Sequence, residues 1–99
     1  MKERLSELRQ SIDAIDDEIL GLLSKRLDLV LEVGQLKKGV NAAVYDPSRE
    51  EAMLARLADS TRSTMPEKTV RRIFSFIIAE CRGLEHQSIH PPGPAEEPR

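Results

Sequence analysis

The sequence lacks the features that cross-link or anchor many small proteins. Its 99 residues include one cysteine and two histidines, which excludes an intrachain disulfide and leaves no spacing of zinc ligands. No apolar run reaches the about 18 residues that a membrane span needs. The charged N-terminus, MKERLSELRQ, has no apolar signal-peptide core. We therefore expect a cytoplasmic protein without a metal site or a membrane partner.

Aromatic residues and an excess of charge are also scarce. Aromatic residues make up 3% of the chain and tryptophan is absent, which leaves little on which single-stranded nucleic acid could stack. The formal net charge is -2, whereas nucleic-acid binders normally carry a basic excess. The sequence therefore indicates one small domain with an aliphatic core and no nucleic-acid partner.

What the chain does contain is helical periodicity. The first 38 residues have no proline, and their apolar residues recur at steps of three, four and seven, which is typical of a helix with one apolar face. We call this face the apolar seam, and it consists of Leu5, Leu8, Ile12, Ile15, Ile19, Leu22, Leu29, Val33 and Leu36. Lys37 and Lys38 fall in the last predicted turn, and Gly39 is the expected C-terminal cap.

Two shorter helices are predicted after the first. One begins near Pro47 and ends near Asp59, and the other runs from about Pro66 to Gln87, each with apolar residues at steps of three and four. No segment has the alternation of a strand. The predicted fold is therefore all-α, with one long N-terminal helix and two shorter helices.

The length of the first helix has a consequence for assembly. A helix over residues 3–38 is about 54 Å long, whereas a compact chain of this size has a radius of gyration of about 13 Å. Two shorter helices cannot cover both ends of such a rod. We therefore expect an intertwined homodimer that forms a helical bundle.

The last residues differ in composition from the rest. Residues 88–99, SIHPPGPAEEPR, are rich in proline and polar residues, a composition typical of disorder. We expect a helical domain over residues 1–87, followed by a disordered tail or a linker.

One charged residue interrupts the apolar seam. Arg26 occupies the gap between Leu22 and Leu29, and an arginine on an apolar face is usually paired. It could form an internal salt bridge, or it could bind a carboxylate ligand through its guanidinium.

Two further cations are related to Arg26 by position. Lys37 follows it by eleven residues, close to three helical turns, and so projects from nearly the same side. By itself Lys37 could simply complement the helix dipole. Arg9 lies seventeen residues before Arg26, about 25 Å away. It is either an ordinary exposed arginine or a contributor to the partner subunit's site.

The second helix begins with more charge than a helix start needs. In VYDPSREEAM, Asp46 can cap the helix and Pro47 suits its first position. Arg49 and Glu50 precede the first apolar residues and could form a wall of a ligand site, while Glu51 is expected to be solvated.

The third helix adds a thiol and a carboxylate on one side. Cys81 belongs to the apolar stripe, and Glu85 follows four residues later on the same side. Considered one at a time, Cys81 is expected to be a small core residue, Glu85 a solvated residue at the helix end and Arg82 a surface residue. His86 and His90, near the tail, suggest no site.

Taken in order, these segments resemble the all-helical (AroQ-type) chorismate mutases. The matching segments are LSELRQSIDAIDDEILGLLSKR, LVLEVGQLKK, VYDPSREE and IFSFIIAECRGLE. The resemblance covers about residues 4–87, and its charged positions are spaced too irregularly to follow from helix amphipathicity alone. It implies an intertwined dimer and an isomerase that rearranges chorismate to prephenate in phenylalanine and tyrosine biosynthesis. It also implies that no cofactor or metal is required.

The resemblance assigns a role to each matching position. It implies that Arg26 binds a substrate carboxylate, as does Arg9 from the partner subunit. Lys37 would contact the ether oxygen and the adjacent carboxylate. The remaining assignments concern the second helix: Asp46 and Glu50 would hold the ring hydroxyl, and Arg49 would flank the ring carboxylate and organise the acidic pair.

Two positions depart from the best-known pattern of that family. Cys81 stands where many members have serine, and a thiol is a poorer hydrogen-bond donor. Glu85 stands where some members have glutamine, which donates to the ether oxygen. A carboxylate cannot donate a hydrogen bond, so Glu85 would have to be protonated to take this role.

Other interpretations remain open at this point. Isochorismate-pyruvate lyase shares the fold and the basic pocket, but its family pattern lacks an acidic residue at the position of Asp46. A non-catalytic dimerisation or regulatory module would have no use for Arg26 together with Lys37, Arg49 and Glu50. Residues 88–99 could also begin a linker to a prephenate dehydratase domain, or the chain could associate with another shikimate-pathway enzyme.

Overall fold

The computed structural model describes residues 1–40, 44–60 and 64–91. In these residues the chain forms three helices: α1 (Lys2–Val40), α2 (Pro47–Ser60) and α3 (Glu67–Ile89). No strand occurs among the described residues, and the all-α prediction is confirmed. None of the described helices combines the length and the apolar composition needed to cross a bilayer.

Two helix ends differ from the sequence-based prediction. α1 continues through Gly39 to Val40, because glycine is favoured as a C-terminal cap but does not compel a helix to end. α3 continues beyond Gln87 to Ile89, which is 7% exposed, so burial of an apolar side chain favours the extra residues. Residues 41–43, 61–63 and 92–99, including most of the predicted tail, lie outside the described part of the chain.

The start of α2 follows the capping chemistry that the sequence predicts. The Asp46 Oδ1 atom accepts a hydrogen bond of 3.1 Å from the backbone N–H of Arg49. The Asp46 carbonyl accepts one of 3.0 Å from the backbone N–H of Glu50. Pro47 occupies the first helical position, where its missing N–H costs no hydrogen bond. This cap fixes the direction in which the first turn of α2 presents its charged side chains.

α3 is the element that joins the other two. It packs against both α1 and α2, whereas the backbones of α1 and α2 do not approach each other among the described residues. The core is small, and its buried apolar residues are Ala58, Val70, Ile78, Cys81 and Ile89. Four of these five belong to α3. The relative placement of α1 and α2 is therefore set mainly by what each contacts on α3.

The apolar seam of α1 is left uncovered by the rest of the chain. Every seam residue is exposed, from Leu8 at 44% to Leu36 at 74%, and the first 22 residues are all exposed. The radius of gyration is 17.9 Å and the longest extent is 57 Å, against about 13 Å expected for a compact chain of this length. The N-terminal half of α1 thus projects from the small body formed by its C-terminal half, α2 and α3.

Candidate active site

A cavity of about 400 Å³ lies among the three helices. Its walls come from the C-terminal half of α1, the segment before α2, the first three turns of α2 and residues 74–85 of α3. Seven of the eight site residues proposed from the sequence line it: Arg26, Lys37, Asp46, Arg49, Glu50, Cys81 and Glu85. The structure therefore brings together side chains that lie as far as 59 positions apart in the sequence.

Arg26 enters this cavity without a charged partner. Its Nη1 atom is buried and has no hydrogen-bond partner among the described residues. Its Nη2 atom lies 4.0 Å from Met53 Sδ, and a thioether is a weak acceptor. No carboxylate of the described residues forms an ion pair with it, so the internal salt bridge considered above is not found there. A buried guanidinium left in this state is suited to an anionic ligand.

Lys37 and Glu85 form an ion pair between α1 and α3 at the wall of the same cavity. Glu85 is only 5% exposed, which shows that its interpretation as a solvated helix end is wrong. Its Oε2 atom lies 3.5 Å from Lys37 Nζ, yet this oxygen has no hydrogen-bond partner in the described part of the chain. The separation brings the charges together without good hydrogen-bond geometry. Lys37 Nζ also donates to the Val44 carbonyl at 3.3 Å, which leaves N–H groups of the ammonium available to a ligand.

Gly34 makes the position of Glu85 possible. A Cβ atom on Gly34 would lie 2.8 Å from Glu85 Cγ, which is too close for two carbon atoms. Gly34 is itself buried within α1. The absence of a side chain at this residue therefore lets α3 approach α1 closely enough for the Glu85 carboxylate to reach the cavity.

The acidic residues of α2 are held differently from the sequence-based expectation. Glu50 Oε1 lies 2.6 Å from Arg82 Nη1, so the cation paired with Glu50 is Arg82 and not the side chain of Arg49. The description of Arg82 as a surface residue is wrong, because its side chain is 33% exposed and lines the cavity. The guanidinium carbon of Arg82 also lies 4.4 Å from the centre of the Tyr45 ring. Arg49 contributes its backbone N–H to the Asp46 cap.

The remaining predicted residues have simpler surroundings. Cys81 is a buried free thiol at the cavity wall. Arg9 does not line this cavity and lies in a separate groove near the N-terminal end of α1. The rings of His86 and His90 lie 4.7 Å apart. Among residues 1–40, 44–60 and 64–91, no group of three or more potential ligand side chains could hold a metal ion.

Comparison with known proteins identifies the family. The family model described as chorismate mutase type II matches residues 8–86. The chain belongs to this family. A chorismate mutase from Methanocaldococcus jannaschii is 30% identical over 88 residues, which cover 88% of this chain and 89% of that protein.

Solved chorismate mutases share the fold. One from Thermus thermophilus superposes with a TM-score of 0.83 at 39% identity, covering 85% of this chain and 96% of that one. A Helicobacter pylori chorismate mutase solved in complex with prephenate gives a TM-score of 0.81 at 26% identity, covering 90% of this chain and 97% of that one.

Several relatives of this chorismate mutase family member are longer. A bifunctional chorismate mutase/prephenate dehydratase from Neisseria gonorrhoeae is 38% identical over 89 residues, which are 86% of this chain. The chain spans only 24% of the length of that protein and of a bifunctional relative from Aquifex aeolicus.

Sequence reasoning missed two arginines that line this cavity. Arg82 lies four residues after Ile78 and three before Glu85, so helical spacing already placed it beside the buried stripe. Arg56 also lines the cavity, and it follows Arg49 by seven residues, or two turns. Helical spacing indicated the position of both arginines, but a charged side chain near the end of a helix is usually exposed to solvent.

We expect Gly34→Ala to impair the site, with Gly21→Ala as its control. No atom lies within 4 Å of a Cβ built on Gly21, so alanine there should raise the free energy of unfolding by about 0.5–1 kcal/mol. At Gly34 the new methyl group must displace Glu85, and we expect kcat/KM for the reaction proposed below to fall about tenfold to a hundredfold. Urea denaturation and steady-state kinetics measure the two effects. Equal activity in both variants would show that the close α1–α3 contact is not needed for function.

Proposed function

We propose that this chain catalyses the intramolecular rearrangement of chorismate to prephenate. Family membership and the relatives named above support this activity and do not favour the lyase. The observation that carries the proposal is the buried Nη1 atom of Arg26, which has no partner among the described residues and faces a cavity of suitable size. A carboxylate of chorismate would supply the missing acceptor.

The charge of the cavity suits a dianionic ligand. Five cationic and three carboxylate side chains line it: Arg26, Lys37, Arg49, Arg56 and Arg82, and Asp46, Glu50 and Glu85. With Asp46 and Glu50 ionised and Glu85 protonated, as its proposed role requires, three positive charges are in excess, and chorismate carries two carboxylates. Because the walls also include apolar side chains, these charges act in a poorly solvated space where electrostatic attraction is strong.

The chemistry requires positioning and not a nucleophile. In the rearrangement the ether C–O bond breaks while a new C–C bond forms in the same molecule, so no atom, proton or electron is exchanged with the protein. The enzyme has to select the folded chair conformer and stabilise the negative charge that grows on the ether oxygen. We assign that second task to the free N–H of Lys37 and to protonated Glu85, whose side chains already lie together at the cavity wall.

The other residues of the cavity would hold the substrate in its reactive orientation. Asp46 and Glu50 would bind the ring hydroxyl, Asp46 through its backbone because its side chain caps α2. Arg49 would flank the ring carboxylate. Cys81 lies at the wall near Glu85 and would contribute a weak donor where a hydroxyl is common in the family.

We also propose that the functional unit is an intertwined homodimer. The exposed apolar seam, with Ile12 and Ile15 at 55% and 54% exposure, is a continuous surface that a second copy could bury. Arg9 projects from the same half of α1 that the rest of its own chain leaves uncovered. In an isologous dimer the N-terminal half of one α1 can reach the cavity of the other chain, which would bring Arg9 to the partner's substrate.

We expect Arg26→Leu to abolish most turnover, with Lys25→Leu as a control that removes the same charge from an exposed neighbour. Loss of a buried charged partner should lower kcat/KM about a hundredfold or more. The loss of chorismate absorbance, with acid conversion of the product to phenylpyruvate, gives the rate. If Arg26→Leu stabilises the dimer and leaves turnover unchanged, the arginine is structural and the chain is a dimerisation module. Release of pyruvate from isochorismate would instead establish the lyase.

Substitutions at Glu85 test its assigned role as a hydrogen-bond donor. Only the protonated carboxyl can donate to the ether oxygen, whereas a glutamine amide always carries a donor. We therefore expect Glu85→Gln to retain turnover and Glu85→Ala to lower kcat/KM about a hundredfold. Steady-state measurements of chorismate loss give both values. Full activity of Glu85→Ala would rule out this role of Glu85.

Mixing two inactive variants tests the shared site. Arg9→Ala and Arg26→Ala should each be nearly inactive, but a mixed dimer would contain one site with both arginines intact. Unfolding the two variants together and refolding them at equal concentrations should restore about a quarter of the activity, since half of the dimers are mixed and each has one working site. Light scattering should report a dimer. No recovery from a verified mixed dimer would place Arg9 outside the partner's site.

The wider context of the chain stays a prediction. Bifunctional relatives combine chorismate mutase and prephenate dehydratase in one protein. Fusion to or association with such an enzyme is an expectation for this chain, as is its cytoplasmic location.

A further inference from the structure

We propose that Arg82 is a positioning residue that fixes the acidic wall of the cavity. It does so by forming an ion pair with Glu50 and by stacking on the ring of Tyr45, the residue before the α2 cap. This inference rests on the function proposed above, because it concerns how Glu50 is presented to the substrate hydroxyl.

The first step of the argument is the contact with Glu50. Arg82 Nη1 and Glu50 Oε1 are separated by 2.6 Å, and the two side chains are 33% and 19% exposed. A short contact between partly buried charged groups is strong and directional. Because this bond engages Oε1, the second carboxylate oxygen of Glu50 remains available to a ligand in the cavity that both side chains line.

The second step is the contact with Tyr45. The guanidinium carbon of Arg82 lies 4.4 Å from the centre of the Tyr45 ring, within the range of a cation–π interaction. Tyr45 immediately precedes Asp46, the residue that caps α2. One side chain of α3 therefore contacts the chain on both sides of the α2 start, before Asp46 and one turn after it.

The third step is that α1 contributes little to holding the start of α2 in place. The backbones of α1 and α2 do not approach each other among the described residues. From α1, Lys37 Nζ donates a hydrogen bond to the carbonyl of Val44, two residues before Asp46. The fork and the flat face of the Arg82 guanidinium suit these two simultaneous contacts, which a lysine ammonium could not reproduce.

The chain supplies a matched control. Arg71 and Glu51 form a second arginine–glutamate pair between α3 and α2, at 3.1 Å. Its side chains are 41% and 67% exposed, and neither residue lines the cavity. If Arg82 only helps to hold α2 on α3, loss of either arginine should have similar consequences. If Arg82 positions Glu50, only its loss should affect catalysis.

A double-mutant cycle on chorismate turnover tests the proposal. We expect Arg82→Met to lower kcat/KM about tenfold, mainly through kcat, and Arg82→Lys to recover only part of the loss. Arg82→Met combined with Glu50→Gln should be no worse than Glu50→Gln alone, because the arginine acts through that carboxylate. Arg71→Met should change kcat/KM by less than about twofold. Losses that multiply in the double variant, or an equal loss in Arg71→Met, would overturn the proposal.

A crystal structure of Arg82→Met gives a readout that does not depend on turnover. We expect the Glu50 carboxylate to leave its position at the cavity wall and the segment around Tyr45 to shift. An unmoved Glu50 would overturn the positioning role. If the unaltered chain fails to convert chorismate, the proposed function fails by itself, and the crystal structure still decides whether Arg82 holds Glu50.

Discussion

The close approach of α1 and α3 at Gly34 and Glu85 is the constraint on which the cavity depends. It places a carboxylate at 5% exposure beside an ammonium group. Burial of two such groups is costly unless they are well paired. Here the pairing is incomplete, because Glu85 Oε2 has no hydrogen bond among the described residues. The same is true of Arg26 Nη1. Two incompletely satisfied groups on one cavity indicate a site that is built for a polar ligand and not for maximal stability.

α3 organises the site around this contact. Its buried stripe packs against the other two helices, and the same helix carries Cys81, Arg82 and Glu85 to the cavity. α1 supplies Arg26 and Lys37, while α2 and its cap supply carboxylates as well as arginines. The helix dipole favours acidic residues at the start of α2 and favours Lys37 in the last turn of α1.

Much of this arrangement could be predicted from the sequence, for identifiable reasons. Arg26 stood out because it replaced an aliphatic residue in a regular repeat, and Lys37 followed from counting helical turns. The Asp46 cap followed from turn chemistry. Arg82 could not be recognised in the same way, because its contacts are with Glu50 and Tyr45, which lie 32 and 37 positions earlier in the chain. Helical spacing places a side chain on a face but does not say which carboxylate it meets. The predicted end of α1 at Gly39 was wrong because glycine is frequent at helix C-termini but does not force a helix to end.

The separation between α1 and α2 has a consequence for the folded state itself. Among the described residues the backbones of these two walls do not approach each other, and long side chains such as Arg26 and Met53 make contact between them. A ligand with two carboxylates, bound to cations from both walls, would supply the packing that the chain lacks there. The bound substrate would then fill space between α1 and α2 as core side chains do, and would stabilise the folded state. The site would be most rigid with substrate bound, when the reacting conformer has to be held.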